Sequence, residues 1–96
     1  MSELRFDWDP RKDAANRRKH GVSFEEAASA FRDERGLIIA DPDHSEAEDR
    51  FLLLGLSSGL RVVVVCHCLR DKGHTIRIIS AREATRSERR QYFDRT

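Results

Sequence analysis

Along the first ten residues Leu4, Phe6 and Trp8 alternate with Arg5 and Asp7, the period of two that marks a strand with one buried face. The pattern breaks at Asp9-Pro10. An aspartate caps free helix amides, and a proline at the first helical position gives up no hydrogen bond, so a helix is predicted over Pro10 to His20. It holds only Ala14 and Ala15 as apolar residues, and Gly21, suited to a left-handed helix end, stops it. Ser23 and Glu26 then form a capping box, and Val22 can staple onto Ala27. Phe24, Ala27, Ala28 and Phe31 recur at helical spacing, so this second helix is amphipathic and should pack on a sheet.

Downstream the period shortens. Leu37 to Ala40, Phe51 to Leu56 and the valine-rich Arg61 to Leu69 are apolar runs with strand propensity. In a further strand Ile76 and Ile78 alternate with Arg77 and Ile79, which buries one face and presents Arg77 on the other; His67 shares the Arg77 face only under one register. Ser57-Ser58-Gly59 and Arg70 to Gly73 read as hairpin loops, and connections this short make consecutive strands antiparallel neighbours. Asp41 to Asp49 is a longer polar connection. Thr85 and Glu88 form a capping box that opens a helix carrying Arg86, Arg89, Arg90 and Tyr92. The expected fold class is α+β, a single small domain over residues 1–96 ordered β-α-α-β-β-β-β-α. Its sheet is mostly antiparallel with the first strand added, two amino-terminal helices pack across one face, and a helix closes the carboxyl end.

Composition agrees with one core: 96 residues, 39% hydrophobic and 36% charged, leave no material for a second domain and are too apolar for disorder. No apolar run approaches the roughly 20 residues that cross a bilayer, and MSELRFDWDP lacks the basic start and apolar run of a signal peptide. A cytoplasmic location without membrane partners is the expectation. Cys66 and Cys68 share a strand face too closely for the usual structural disulfide, and His67 points to the other face, so both read as reduced core thiols and not as a metal chelate.

Charge changes the picture more. The net charge of +1 hides a segment, Pro10 to His20, in which Arg11, Lys12, Arg17, Arg18 and Lys19 face a single acid, Asp13. From Ser23 to Asp49 nine acids outweigh Arg32 and Arg35. The basic helix is either a solvated cover or a phosphate-facing element.

Glycine-rich phosphate loops, His-Glu-x-x-His, paired Cys-x-x-Cys and Gly-x-Ser-x-Gly are all absent, so no cofactor or metal is expected. Imidazoles, guanidiniums, carboxylates and one phenol remain, the set that suits metal-free RNA cleavage. There a 2′-hydroxyl attacks the adjacent phosphate with a base, an acid and fixed cations around it. His20 is the leading acid/base candidate, since a histidine titrates near neutrality, although a helix-end histidine also simply favours the dipole. Glu48 beside Arg50 reads as a base or as half of a loop ion pair. Arg77 and Arg82 suit the phosphate clamp, and Tyr92 either donates a proton, stacks on a base or packs on its own sheet. Lys12, Arg18, Lys19 and Arg89 are candidate RNA contacts. A binding module using the same basic face without cutting would need the arginines but not His20 or Glu48.

FDWDPRKDAANRRKHGVSFEEAASAF, HSEAEDRFLLLG and IRIISAREATRSERRQY, in that order over nearly the whole chain, resemble the BrnT family of ribonuclease toxins from type II toxin–antitoxin pairs. The resemblance implies a RelE-like fold and metal-independent RNA cleavage that halts translation. It further implies neutralisation by a BrnA-like antitoxin with a ribbon-helix-helix DNA-binding domain, through which alone operator DNA is bound. Its motif positions fall on Lys19, His20 and Gly21; on Glu48, Arg50 and Phe51; on Arg77, Ile79, Ser80 and Arg82; and on Tyr92. A degenerate toxin kept for antitoxin binding is the alternative. The Cys66-His67-Cys68 run has no counterpart in the resemblance.

Overall fold

The first strand, β1 (Arg5–Asp7), is three residues long because the chain leaves it at once to start a helix. In the computed structural model, which describes residues 4–41 and 50–94, the Asp9 carboxylate accepts the Arg11 N–H at 2.9 Å and Pro10 opens α1 (Pro10–His20). Gly21 ends it with φ of 72°, and its N–H returns to the Arg17 carbonyl, the conformation that only glycine adopts cheaply. Ser23 caps α2 (Phe24–Ser29) by accepting the Glu26 N–H. The expected reciprocal half of that box is replaced: the Glu26 carboxylate turns to Arg61, at 2.7 and 2.8 Å, and to Ser57 at 2.6 Å. A 3-10 turn, Ala30–Arg32, leads to β2 (Leu37–Ala40).

β3 (Phe51–Leu56), β4 (Val62–Arg70) and β5 (Thr75–Glu83) follow, and α3 (Arg86–Phe93) closes the domain. Among the described residues the strands form one sheet in the order β1-β5-β4-β3-β2. Consecutive strands from β2 to β5 are antiparallel, as the short loops require, while β1 lies parallel to β5 with Phe6 opposite Ile76. No helix among the described residues is long and apolar enough to cross a membrane.

The sheet is buried unequally. On its first face Val63, Val65, Leu53, Ile76, Ile78 and Ala81 meet Phe24, Ala27 and Ala30, with Phe6 and Phe31 packed against them. His67 sits opposite Ile78 and therefore belongs to this face, away from Arg77. It is 2% exposed between Phe31 and Phe51, and burial pushes its pKa down. On the second face a smaller cluster, Leu54, Val62, Val64 and Ala84, is covered by Tyr92 of α3. With eight residues α3 covers only part of that face, and what it leaves open becomes the site.

Two helices across one face were expected, and α1 departs from this. Ala15 is exposed and the single buried residue of α1 is Asn16, so α1 is bonded to the edge of β5 while α2 packs on the face. A helix with so little apolar surface is held by polar bonds instead.

The β3–β4 turn holds a residue under strain. Leu60 takes φ of 62°, the left-handed position that glycine favours, with its side chain 83% exposed. Gly59, one residue earlier, is needed for another reason, since a Cβ there would lie 2.7 Å from the Glu26 carboxylate. Leu60→Gly should therefore raise stability by about 0.5–1 kcal/mol, because little buried surface is lost and the left-handed penalty is removed. The urea midpoint checks this; a lower midpoint would show that Leu60 makes a stabilising contact.

Candidate active site

β5 contains a bulge that decides where its arginines go. Cys66 pairs with Ser80 but His67 pairs with Ile78, so Ile79 is an extra residue. Arg77 and Arg82 are five apart and would face opposite sides of a regular strand. The bulge reverses this: Arg77 lies opposite Cys68 and Arg82 opposite Val64, both on the second face.

Arg82 is then fixed by the first turn of α3. Its guanidinium donates twice to the Glu88 carboxylate, at 2.7 and 2.9 Å. The same carboxylate accepts the Thr85 N–H at 2.8 Å, while the Thr85 hydroxyl accepts the Glu88 N–H. The Arg82 hydrogen bond, opposed by burial and helped by the Thr85 amide, pulls the Glu88 pKa down to about 2. The capping box thus doubles as a mount for an arginine.

His20 is brought to the same place from the other side. Beyond Asp7 β1 no longer covers β5, and there the Asn16 side-chain amide stands in for a neighbouring strand. Its Nδ2 donates to the Ala81 carbonyl at 2.8 Å and its Oδ1 accepts the Ala81 N–H at 3.1 Å. Nδ2 also donates to the Val22 carbonyl at 2.8 Å. One carboxamide thereby ties the strand residue before Arg82 to the loop just after His20. On α1, His20 is one turn beyond Asn16, on the stripe that faces β5.

Together these ties open a cleft of about 360 Å³ lined by His20, Asp41, Arg50, Cys66, Ser80 and Arg82, with Leu52, Val64, Ile79 and Ala81 completing its lining. Three of the sequence candidates, His20, Arg50 and Arg82, line it. Arg77 does not; it is ion-paired with Asp7 across the β1–β5 ladder. Tyr92 is 6% exposed and donates its phenolic hydrogen to Asp33. Burial pushes the Asp33 carboxyl up, but hydrogen bonds from Tyr92 and from the Leu56 and Arg35 amides outweigh it, so the net shift is downward. Glu48 lies outside the described residues. Lys12, Arg18, Lys19 and Arg89 are exposed, the first three along α1 and the last on α3.

Sequence reading did not pick out Asp41, Cys66 or the bulge. Cys66 and Cys68 are free thiols, as read from their spacing, yet Cys66 lines the cleft. Burial raises its pKa, and Asp41, to which the thiol donates at 3.7 Å, adds to that rise while Arg50 opposes it. The available signal for Asp41 was register: Ala40 pairs with Phe51, so Asp41 must meet Arg50, and its N–H donates to the Arg50 carbonyl at 2.8 Å.

An imidazole and two guanidiniums converging on an open cleft beside a mostly antiparallel sheet define a small α+β domain with a cationic site. The chain belongs to the family described as ribonuclease toxin, BrnT, of type II toxin-antitoxin systems, which matches residues 8–88. Among solved structures it is similar to the Brucella abortus ribonuclease toxin, BrnT, determined at 1.1 Å. The two are 25% identical with a TM-score of 0.58, covering 88% of this chain and 100% of that one. Comparison with curated proteins returned no match. The family is one of ribonuclease toxins, each half of a toxin–antitoxin pair, so RNA is the substrate class and an antitoxin the partner class.

Proposed function

We propose that this toxin cuts RNA without a metal ion, by attack of a ribose 2′-hydroxyl on the adjacent phosphate, and so halts translation. The observation that carries this reading is the convergence of His20, Arg50 and Arg82 on one cleft. Arg50 and Arg82 supply cations for the two non-bridging oxygens, whose charge grows as phosphorus becomes five-coordinate. His20 is the proton-transfer group beside them. Glu88 holds Arg82 in place before RNA arrives, so little reorganisation accompanies the reaction. Arg77 braces β1 against β5, and Tyr92 braces α3 against Asp33. Lys12 and Lys19 on α1 and Arg89 on α3 are exposed cations that would contact backbone phosphates beyond the cleft, and Arg18 would do so from the opposite side of α1.

An antitoxin of the ribbon-helix-helix type, BrnA-like, would silence the enzyme by covering the same basic surface, and only through it would operator DNA be engaged. Its association would be speeded by charge complementarity and slowed by salt.

Purified protein incubated with naked RNA tests the reading. Cleavage should persist in excess EDTA, because the clamp is made of guanidiniums, and the products should end in 2′,3′-cyclic phosphates. Loss of cutting on chelation with recovery in Mg²⁺, or products bearing 5′-phosphates, would reject it.

A further inference from the structure

A second proton-transfer group is needed to complete the chemistry, and the cleft holds one candidate that the sequence reading passed over. Among the described residues lining the cleft, Asp41 is the one carboxylate and His20 the one imidazole. Asp41 directly follows β2, and its backbone is fixed across the hairpin by the hydrogen bond to Arg50, so its side chain is carried by the sheet. The Cys66 thiol, on the neighbouring β4, donates to its Oδ2. That contact helps to orient the carboxylate. The nearby Glu88 is unsuited to accept a proton, because its oxygens already take both Arg82 donors and the Thr85 amide. Glu83 falls on the other face with its carboxylate toward Arg61.

We propose that Asp41 is the proton acceptor for the attacking 2′-hydroxyl and His20 the proton donor to the departing 5′-oxygen, an assignment that rests on the ribonuclease reading above. In the step, Asp41 takes the hydroxyl proton and the 2′-oxygen forms a bond to phosphorus. The bond from phosphorus to the 5′-oxygen breaks, its electron pair stays with that oxygen, and protonated His20 supplies the proton. The products are a 2′,3′-cyclic phosphate and a 5′-hydroxyl; Asp41 and His20 return to their starting states by exchange with solvent. Arg50 and Arg82 lie on the same cleft, where the phosphate must sit for both transfers.

The test is single-turnover cleavage of a short RNA by the full chain across a pH series, paired with binding of the same oligonucleotide carrying a 2′-deoxyribose at the cut site. Asp41→Asn should slow cleavage by about 10²- to 10⁴-fold and remove the acidic limb of the profile, since the amide cannot accept the proton. Affinity for the deoxy analogue should stay within about threefold of the unmodified protein's. Asp41→Glu should keep the acidic limb at a reduced rate, and it decides the matter should the asparagine variant fail to fold. His20→Gln should remove the alkaline limb and leave the acidic one. Cleavage by Asp41→Asn at the normal rate, an acidic limb that survives in it, or a loss of affinity as large as the loss of rate would each overturn the Asp41 assignment while leaving the ribonuclease reading intact. Absence of cutting by the unmodified protein under every condition would instead sink the ribonuclease reading, and the assignment with it.

Discussion

Asn16→Asp should lower folding stability by about 3 kcal/mol, out of the roughly 5–15 kcal/mol that holds a domain together, although it changes one atom of a side chain on a largely solvated helix. Asn16 is 7% exposed and uses both ends of its carboxamide, accepting from the Ala81 N–H and donating to the Ala81 and Val22 carbonyls. A carboxylate keeps the shape but offers no donor. It therefore leaves two buried carbonyls unpaired, about 1–3 kcal/mol each, and sets a negative charge against them. For a domain of this size the loss corresponds to a fall in Tm of about 12–24 °C. Its pH dependence has a definite sign. Burial beside two carbonyls raises the new carboxyl's pKa in the folded state above its unfolded value, so the defect is smallest at low pH. It grows as pH rises through the unfolded pKa and is complete above the folded one. Thermal melts of both proteins between mildly acid and neutral pH check this. A Tm within about 3 °C of the unmodified protein's at neutrality would show that the amide pair does not hold α1.

That residue also marks the boundary of what the sequence made legible. Features set by neighbours along the chain were readable: the Asp9-Pro10 start and Gly21 stop of α1, the Thr85/Glu88 box of α3, and strand pairing dictated by short loops. Each depends on a handful of adjacent residues, whose chemistry is printed in order. Features set by distant partners were not. Asn16 reads as one more polar residue on a polar helix, since its partner Ala81 is 65 positions away and contributes only backbone. The Ser23/Glu26 box was half right because Arg61, 35 positions on, competes for the carboxylate with a charge that the Ser23 amide lacks. The bulge at Ile79 has no local signature, yet it moves Arg82 onto the face that Arg77 occupies. Consequently three residues that line the cleft, His20, Arg50 and Arg82, were nameable from the sequence, whereas which residues meet there depended on one extra strand residue and one buried amide.

The pair formed by Arg82 and Glu88 offers a test that separates the site from its scaffold. Arg82→Ala should reduce RNA cleavage by about 10²- to 10³-fold, the usual consequence of removing one preorganised donor from a developing oxyanion. It should cost only about 1 kcal/mol of stability, because the pair is partly solvated, with the Arg82 side chain 40% exposed, and because Glu88 keeps its bonds to Thr85. Glu88→Gln should do the reverse in proportion. The arginine remains, so activity should fall by about tenfold as its orientation loosens, while stability drops by about 1–2 kcal/mol with the weakened cap and lost pair. The unmodified protein carries the matching pH signature. The Glu88 pKa is depressed to about 2, so its contribution is present above the ordinary glutamate range and is lost as pH falls toward 2. Glu88→Gln should flatten that part of the acid unfolding curve, whereas Arg77→Ala, which opens an ion pair outside the cleft, should leave it unchanged. Cleavage assays and acid titrations on the three variants decide it. Equal losses of activity in Arg82→Ala and Arg77→Ala would mean that the cleft does not hold the scissile phosphate and that the basic surface as a whole, not Arg82, sets the rate.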